Sequence, residues 1–407
     1  MQNSILDIFT KEALDAARAS NTYRTMRLLE SPETSHIEMH PTIEGAPRHQ
    51  ILLASNSYLD LANIDELKQA MAEAVIEWGT GSGGARLTTG NKTPHEALET
   101  EIAKFKSEEA AITFNTGYMA NVGTISALCG KNDFIFSDEL NHASIIDGIR
   151  LSRAKCFVYK HNDMADLERA ITEAKKAFQE TAREQYSNDF RGLIVTDAVF
   201  SMDGDLAKLP ELLSIAKKQE VLLMIDEAHA TGVLGRTGRG LAEHYGCAHA
   251  DITLGTLSKA VAAEGGFVAG KQQLIDFLRN KARSFIFTTA IAPAVAAAAC
   301  NNLRYIDAHP ERVQRLCDNV KFFCECLRGE GLDVPTSPSA IVPIVIGDEA
   351  RALEISAALQ KEGLLIPAIR YPTVAKGQAR LRASLMASHT REELQWAAKK
   401  IAEVILK

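Results

Sequence analysis

Two acids and a histidine follow an apolar run in the middle of the chain, where the sequence reads LLMIDEAHATG (222–232). The run has the length of a buried strand, which places Asp226 and His229 at or just beyond its carboxyl end. A carboxylate in this position stabilises a cationic group within hydrogen-bonding distance. The imidazole three residues later can reach the same bound molecule, so the pair indicates a ligand site.

Further segments carry groups that could bind or react with the same ligand. The stretch TFNTGYMAN (113–121) reads as a strand, a glycine turn and a helix start, which offers free backbone N–H groups to a phosphate. NHAS supplies His142, VFSMDGD supplies Ser201, and TLGTLSKA supplies Thr256 and Lys259. A phosphate cradle, a flat imidazole, a strand-end carboxylate and a lysine after hydroxyl groups together match pyridoxal 5'-phosphate (PLP).

PLP would use each of these groups. The Lys259 amine can close a Schiff base with the aldehyde, and desolvation beside cationic groups makes such an amine nucleophilic. Asp226 would keep the pyridine nitrogen protonated, since opposite charges about 4 Å apart attract by about 4 kcal/mol at an effective dielectric near 20. The protonated ring then acts as an electron sink for a carbanion next to the imine. His229 could reach the phenolic oxygen, and His142 could stack over the ring.

Each residue alone has a simpler explanation. A strand-end aspartate such as Asp226 is more often a turn former or a helix cap. Lys259 alone would be a solvated surface lysine, and His142 could cap a helix. The order of the groups along the chain, and their position at strand ends, favour the joint interpretation.

Two other motif matches predict different chemistry, and both lack their structural context. Residues 226–229 spell the DEAH box of one class of nucleic-acid helicases, but no G-x-x-x-x-G-K-[ST] loop precedes them, and the net charge of -7 is unlike that of a nucleic-acid binder. GTGSGG (79–84) matches the dinucleotide pattern G-x-G-x-x-G but follows a helical pattern, not a strand. We therefore expect neither a nucleic-acid partner nor a nicotinamide cofactor, and interpret 79–84 as a loop at a substrate entrance.

The composition predicts a cytoplasmic globular protein without a metal site. Of the 407 residues, 46% are hydrophobic and 24% are charged. The first residues lack the apolar core of a secretory signal, and the run IAPAVAAAAC (291–300) is shorter than the roughly 20 residues of a membrane span. The seven cysteines form no C-x-x-C pair, so we expect reduced thiols with no disulfide and no zinc site.

The apolar runs predict an α/β fold. Strand candidates alternate with helices from about residue 50 to 290, which indicates a mostly parallel sheet sandwiched by helices, with ligands bound at the carboxyl ends of the strands. The strand candidates are ILLAS, AAITFN, DFIFSD, AKCFVYK, GLIVTDAV, VLLMIDEA, DITLGTL and GGFVAG. We expect an N-terminal arm (1–45), a large cofactor-binding domain (46–290) and a smaller α+β domain (291–407). The arm should pack with the small domain or with a partner subunit.

Six motifs together resemble the α-oxoamine synthase family of fold-type I PLP-dependent transferases: GTGSGGARLTTGNKTPHEALE, NHASIIDGIR, VFSMDGD, IDEAHATGVLGRTGRG, TLSKA and AIRYPTVAKGQARLR. The resemblance implies a homodimer with shared active sites, in which an amino acid condenses with an acyl thioester of coenzyme A or a carrier protein. AIRYPTV is most similar to members that condense L-alanine with a pimeloyl thioester in biotin biosynthesis. AKGQAR followed by ASHT is also similar to members that use glycine and acetyl-CoA.

The resemblance implies roles for individual residues. Lys259 would be the Schiff-base lysine, Asp226 the pyridinium partner and His142 the stacking residue. The other expected cofactor contacts are Ser201 and His229 for the phenolate, and Gly117, Tyr118, Thr256 and, from the second subunit, Thr289 for the phosphate. The expected substrate contacts are Asn56 and Arg382 for the amino-acid carboxylate, Arg370 and Thr373 near the acyl chain or carboxylate, and Arg24 at the distal acyl end.

A reaction sequence follows from the same resemblance. Alanine displaces Lys259, the freed amine removes the α-proton, and the carbanion attacks the thioester. The thiol leaves, the β-keto acid loses carbon dioxide, and His142 donates a hydrogen bond to the carbonyl oxygens.

The sequence departs from the family pattern after the lysine, where AVAAEGG (260–266) replaces a glycine-richer stretch. This leaves the role of Lys259 intact but predicts altered packing or acyl access. Asp197, where the alanine-using members often have glutamate, favours the glycine-using alternative.

Overall fold

The computed structural model describes residues 4–20, 22–182 and 189–407. The helices are α1 (Ile5–Ala19), α2 (Asp65–Trp78), α3 (Thr93–Lys106), α4 (Gly117–Leu128), α5 (Ala143–Ser152), α6 (Met164–Ala182), α7 (Leu209–Gln219), α8 (Leu241–Tyr245), α9 (Gln272–Lys281), α10 (Arg283–Ile286), α11 (Pro293–Ala308), α12 (Pro310–Gly329), α13 (Glu349–Lys361) and α14 (Arg391–Ile405). The strands are β1 (His36–Glu38), β2 (His49–Leu52), β3 (Ala110–Phe114), β4 (Phe134–Asp138), β5 (Lys155–Tyr159), β6 (Gly192–Asp197), β7 (Leu222–Asp226), β8 (Ile252–Thr256), β9 (Gly266–Gly270), β10 (Ile341–Gly347), β11 (Leu364–Leu365), β12 (Ala368–Ile369) and β13 (Ala379–Ser384).

Seven strands form the central sheet, in the order β3-β9-β8-β7-β6-β4-β5. β8, β7, β6, β4 and β5 run parallel, whereas β9 is antiparallel to both neighbours, β8 and β3. These strands coincide with seven of the eight apolar runs that the sequence marks as strands. The predicted mostly parallel sheet, flanked by helices, is confirmed.

Alternate side chains of the central strands enter two different apolar cores. Phe136 and Ile194 face one core, and their chain neighbours Ile135 and Val195 face the other. β4, β8 and β9 are buried at every residue, as expected for strands covered on both faces.

The register of the parallel strands brings their polar ends to one edge of the sheet. Asp197 pairs with Asp226 across β6 and β7, and Asp226 pairs with Leu254 across β7 and β8. Thr256, which ends β8, therefore lies at the same edge. Ligands of such sheets bind at this edge, so the fold places the polar strand ends where the sequence predicted a ligand site.

Two smaller sheets involve the C-terminal part of the chain. β10, β13 and β12 form an antiparallel sheet, and β2 is antiparallel to β1 and parallel to β11. The run ILLAS therefore contributes to a sheet with the C-terminal segment and not to the central sheet, because an apolar run specifies a strand but not its distant partner. The boundaries 1–45, 46–290 and 291–407 stay a prediction, and the first of these segments contains residues 1–3 and 21, which lie outside the described residues.

The apolar run 291–300 lies largely in α11, where it packs against α2 and α3. Most of the alanines of this helix are buried, as in a core helix. Among the described helices, none combines the length and the apolar character that a bilayer span requires.

Candidate active site

A cavity of about 170 Å³ opens at the carboxyl edge of the central sheet. Its wall contains seven of the predicted site residues, namely Gly117, Tyr118, His142, Asp226, His229, Thr256 and Lys259. It also contains Thr116, Asn121, Ser144, Asp197, Ala228 and Ser258. Residues from several strand ends and two helix starts thus meet around one small volume.

Asp226 ends β7 and is 3% exposed. One carboxylate oxygen, Oδ1, accepts a hydrogen bond from the Ala228 N–H at 2.8 Å. The other, Oδ2, accepts from the Asn121 side-chain amide at 2.6 Å. The carboxylate is therefore held in one orientation at the cavity wall.

Lys259 follows β8 and lines the cavity. Among the described residues, none forms a hydrogen bond or an ion pair with its ammonium group. Burial lowers the pKa of this ammonium, while the charges of Asp226 and Asp197 act in the opposite direction. A lowered pKa increases the fraction of free amine, which is the nucleophilic form.

His229 is buried against Tyr58, which the sequence analysis did not single out. The Tyr58 hydroxyl lies 2.6 Å from His229 Nδ1 and 3.1 Å from Asn56 Oδ1. Burial, followed by the positive charges of Lys259 and Arg382, lowers the pKa of His229 well below its ordinary value. These effects favour the neutral form of the His229 imidazole.

His142 precedes α5 and acts as its N-cap. Its backbone N–H donates to Asp197 Oδ2 at 2.7 Å, and its Nδ1 lies 2.7 Å from Ser144 Oγ. Burial and the Lys259 charge lower the pKa of the imidazole, against the opposing effect of Asp226. Burial and the neighbouring Asp226 charge raise the pKa of Asp197 well above the ordinary value.

The start of α4 forms one end of the cavity. Thr116 caps the helix by accepting the Met119 N–H, which leaves the N–H groups of Gly117 and Tyr118 without an intrahelical acceptor. β9 passes so close that a Cβ on Gly266 would lie 2.6 Å from the Gly117 backbone. This arrangement suits an anion, because the free N–H groups and the helix dipole both favour negative charge.

Arg382 and Asn56 lie beside this cavity. Arg382 is buried, with its Nε donating to the Ser201 carbonyl at 2.5 Å and a terminal nitrogen 3.3 Å from Asn56 Oδ1. Arg380 contacts the same turn by pairing with Asp203, so both arginines face one side of β13, as the strand period predicts. Ser201 is held by its carbonyl and does not line the cavity.

Four predicted residues lie elsewhere in the single chain. Thr289 is exposed and its carbonyl accepts from the Asn115 amide at 2.8 Å, so it sits near the α4 start but outside the cavity wall. Arg24 is exposed, and Arg370 and Thr373 lie in the turn after β12. The action of Thr289 from a second subunit stays a prediction.

The turn after Lys259 shows what replaces the missing glycines of AVAAEGG. Ala262 adopts a left-handed backbone conformation, with φ of 55°. The Asn302 amide from α11 donates to the Val261 carbonyl at 2.7 Å and holds this turn. The two remaining glycines have separate reasons. Gly265 has a positive φ, and Gly266 lies close to the backbone at the start of α4.

Sequence reasoning also missed a buried ion pair behind the site. Lys106, at the end of α3, is 1% exposed and contacts the carboxylate of Glu227, the residue after Asp226. Glu227 further accepts from the Leu241 N–H at 2.7 Å, so the segment that follows β7 is fixed from two sides. The two adjacent acids in IDEAH thus face different surroundings, and only Asp226 lines the cavity.

Comparison with known proteins places this geometry in a family. The family model for aminotransferase class I and II matches residues 48–401. The chain belongs to the aminotransferase class I and II family. It is 45% identical over 404 residues to the 8-amino-7-oxononanoate synthase of Thermoanaerobacter pseudethanolicus, covering 99% of this chain and 98% of that protein. Against the enzyme of the same name from Lysinibacillus sphaericus it is 44% identical, covering 98% of each chain.

Solved structures of this family have the same fold. The serine palmitoyltransferase of S. paucimobilis with a bound PLP–myriocin aldimine superposes with a TM-score of 0.87 at 29% identity, over 99% of this chain and 98% of that chain. The 8-amino-7-oxononanoate synthase of Francisella tularensis superposes with a TM-score of 0.72 at 31% identity, over 86% of this chain and 96% of that chain.

Proposed function

We propose that the protein is a PLP-dependent acyltransferase that condenses L-alanine with a pimeloyl thioester, giving 8-amino-7-oxononanoate, carbon dioxide and the free thiol carrier. The observation that carries this proposal is the meeting of Lys259, Asp226 and the start of α4 around one cavity. Relatives that are 42–49% identical over nearly the whole chain bear the name 8-amino-7-oxononanoate synthase, which supports the choice of substrates. This activity belongs to biotin biosynthesis.

The residues of the cavity fit PLP. The phosphate would be held by the N–H groups of Gly117 and Tyr118 and by the Thr256 hydroxyl. Gly266 has no side chain to crowd the Gly117 backbone, which leaves the start of α4 accessible. Asp226 would face the ring nitrogen, and His142 would cover the ring. When bound, PLP supplies a protonated pyridine ring that accepts the electron pair left by the departing α-proton.

Lys259 has two tasks in this proposal. Its Nζ would hold the cofactor through the aldehyde group, a role that the pKa lowered by burial favours. As a free amine, the same nitrogen accepts the proton from the α-carbon of the amino acid.

The two histidines, Ser201, Asn56 and Arg382 would orient the reacting molecules. His229 and Ser201 would contact the phenolic oxygen, and Arg382 with Asn56 would hold the amino-acid carboxylate, because a guanidinium forms two parallel bonds with it. His142 would donate a hydrogen bond to the carbonyl oxygen of the thioester and later of the β-keto acid.

The acyl group is proposed to extend toward the less buried basic residues. Arg370 and Thr373 would lie near the acyl chain or the carboxylate, and Arg24 at the distal end of the acyl group. The thioester carrier is coenzyme A or an acyl carrier protein. Glycine with acetyl-CoA is the alternative pair, which Asp197 favours, and a direct comparison separates the two.

We also propose that the active form is a homodimer with shared active sites. No residue of α1 is buried in the single chain. Its apolar side chains Ile5 and Phe9 are 79% and 81% exposed. An isolated helix of this length is only marginally stable in water, so α1 needs a surface to pack on. Phe287, two residues before Thr289, is 69% exposed, which supports an interface beside the cavity. A second copy would bury these side chains and bring Thr289 to the phosphate.

Replacing Lys259 by alanine should abolish covalent attachment of the cofactor. Wild-type protein incubated with PLP is expected to gain a visible absorbance band, and borohydride should remove the band and leave the cofactor mass on the peptide that contains Lys259. Lys259→Ala should show neither change. Lys271→Ala, which alters an exposed lysine after β9, serves as the control and should behave as wild type. A labelled peptide elsewhere, or an unchanged band in Lys259→Ala, would reject the assignment of this lysine.

Purified holoenzyme should release free thiol faster from pimeloyl-CoA with L-alanine than from acetyl-CoA with glycine. We expect at least about a tenfold ratio of kcat/KM, equivalent to about 1.4 kcal/mol of transition-state discrimination. The products are identified by mass spectrometry, with the two crossed pairs of substrates as controls. Preference for glycine and acetyl-CoA would reject the substrate assignment but keep the reaction class. No thiol release from either pair, and none when the same acyl groups are supplied on an acyl carrier protein, would reject both.

Sedimentation equilibrium should give twice the 44.3 kDa mass of the chain at micromolar concentration. Phe9→Glu should raise the dimer dissociation constant about 10- to 100-fold, because it removes a buried aromatic side chain from the interface. Lys11→Glu places an acidic side chain on the opposite, polar face of α1, where Lys11 is exposed, and should change the constant much less. A monomeric wild-type protein, or equal effects of the two variants, would contradict this assembly.

A further inference from the structure

A buried chain of hydrogen bonds joins Asp226 at the end of β7 to His142 at the start of α5. Asn121 Nδ2 lies 2.6 Å from Asp226 Oδ2 and 2.9 Å from Ser144 Oγ. Ser144 Oγ in turn lies 2.7 Å from His142 Nδ1. Asn121 and Ser144 are each 1% exposed, so bulk water does not compete for these bonds.

The carboxylate fixes the orientation of the Asn121 amide. A carboxylate only accepts hydrogen bonds, so the amide nitrogen must face Asp226, and the reverse orientation would place two acceptor oxygens 2.6 Å apart. Asn121 Oδ1 has no hydrogen-bond partner among the described residues, although it is buried. An unpaired buried oxygen is unfavourable, so Oδ1 does not contribute to holding the amide. The amide is held by the two hydrogen bonds that Nδ2 donates.

This orientation determines which atom donates each hydrogen bond between Asn121 and the His142 imidazole. Nδ2 has two hydrogens, and one goes to Asp226 and the other to Ser144 Oγ. Ser144 Oγ therefore accepts from Asn121 and donates its own hydrogen to His142 Nδ1. The Ser144 backbone N–H also points to Nδ1, at 3.3 Å, so Nδ1 receives two donors and carries no proton of its own.

The proton of a neutral His142 must then lie on Nε2. The structure gives Nε2 no hydrogen-bond partner within the described parts of the chain, and the residue lines the cavity. Burial and the Lys259 charge lower the pKa of the imidazole, which agrees with a single proton on the ring.

We propose that Asn121 is a positioning residue that sets two groups at once: it orients the Asp226 carboxylate and, through Ser144, fixes His142 as the Nε2–H tautomer. This inference rests on the proposed function for its consequence. Asp226 is then ready to face the ring nitrogen, and His142 presents a hydrogen-bond donor to the carbonyl oxygen of the substrate without a prior proton shift. In this assignment Asn121, although it lies in the cavity wall, acts through Asp226 and Ser144.

Asparagine suits this position better than the residues closest to it in size. Aspartate would place a second carboxylate 2.6 Å from Asp226 and could not donate. Leucine has a similar volume but no donor, so it would leave Asp226 Oδ2 and Ser144 Oγ without their amide. Leucine is therefore the informative substitution.

Neutron diffraction from deuterium-exchanged crystals of the wild-type protein reads the tautomer directly. We expect a deuteron on His142 Nε2, none on Nδ1, and the two amide deuterons of Asn121 directed at Asp226 and Ser144. A deuteron on Nδ1, alone or together with one on Nε2, would overturn the proposal. Because this measurement needs no variant and no bound PLP, it stays decisive even if the proposed function is wrong.

The dissociation constant for PLP, measured by the visible absorbance of the protein, tests the effect on Asp226. Asn121→Leu should weaken binding about 10- to 100-fold, the range for loss of a hydrogen bond to a charged group. Thr124→Val is the matched control, since Thr124 is buried on the same helix and its hydroxyl has no partner among the described residues. It should change binding by less than about threefold.

The two variants also separate the inference from the proposed function. Failure of the wild-type protein to bind PLP would reject the proposed function. Tight PLP binding by the wild type with equal constants for Asn121→Leu and Thr124→Val would overturn the role of Asn121 while leaving that function intact.

Discussion

The site depends on a negative charge buried at the end of a central strand. Asp226 lies beside Asp197 in the register of β6 and β7, and the two carboxylates are 3% and 5% exposed. A buried carboxylate is unfavourable unless hydrogen bonds and a positive charge compensate it. Two N–H donors hold Asp226, while the adjacent charge and burial raise the pKa of Asp197. A protonated ring nitrogen of a ligand is the group that such a carboxylate would stabilise.

The other titratable groups of the cavity keep this charge available for the ligand. Burial and nearby positive charges lower the pKa of both His142 and His229, which disfavours an imidazolium beside Asp226. The Lys259 ammonium is also destabilised by burial. The Asp226 carboxylate, held in one orientation, would therefore be available to pair with a cationic ligand. A ring nitrogen kept protonated by this pairing withdraws electrons through the ring.

The sequence predicted a mostly parallel sheet and the alternation of strands and helices along the chain, because apolar periodicity is a local signal. The seven predicted residues that meet in the cavity came from strand ends and a glycine turn together with the family resemblance. The sequence did not reveal the contacts between distant segments. Tyr58 reaches His229 across 171 positions and Asn121 reaches Asp226 across 105, and nothing in the local pattern specifies either contact. Lys106 reads as an ordinary basic residue at a helix end, and its burial beside Glu227 follows only from the fold. The run ILLAS was recognised as a strand, but its partner β11 lies more than 300 positions away.

The most direct test of the central claim is the ¹⁵N chemical shift of ring-labelled PLP bound to the full-length protein, measured for the wild type and for Asp226→Asn. The account predicts a protonated ring nitrogen in the wild type from pH 6 to 9, and a neutral nitrogen in Asp226→Asn, because an amide lacks the charge that stabilises the pyridinium. A neutral ring nitrogen in the wild type, or a protonated one in both proteins, would contradict it.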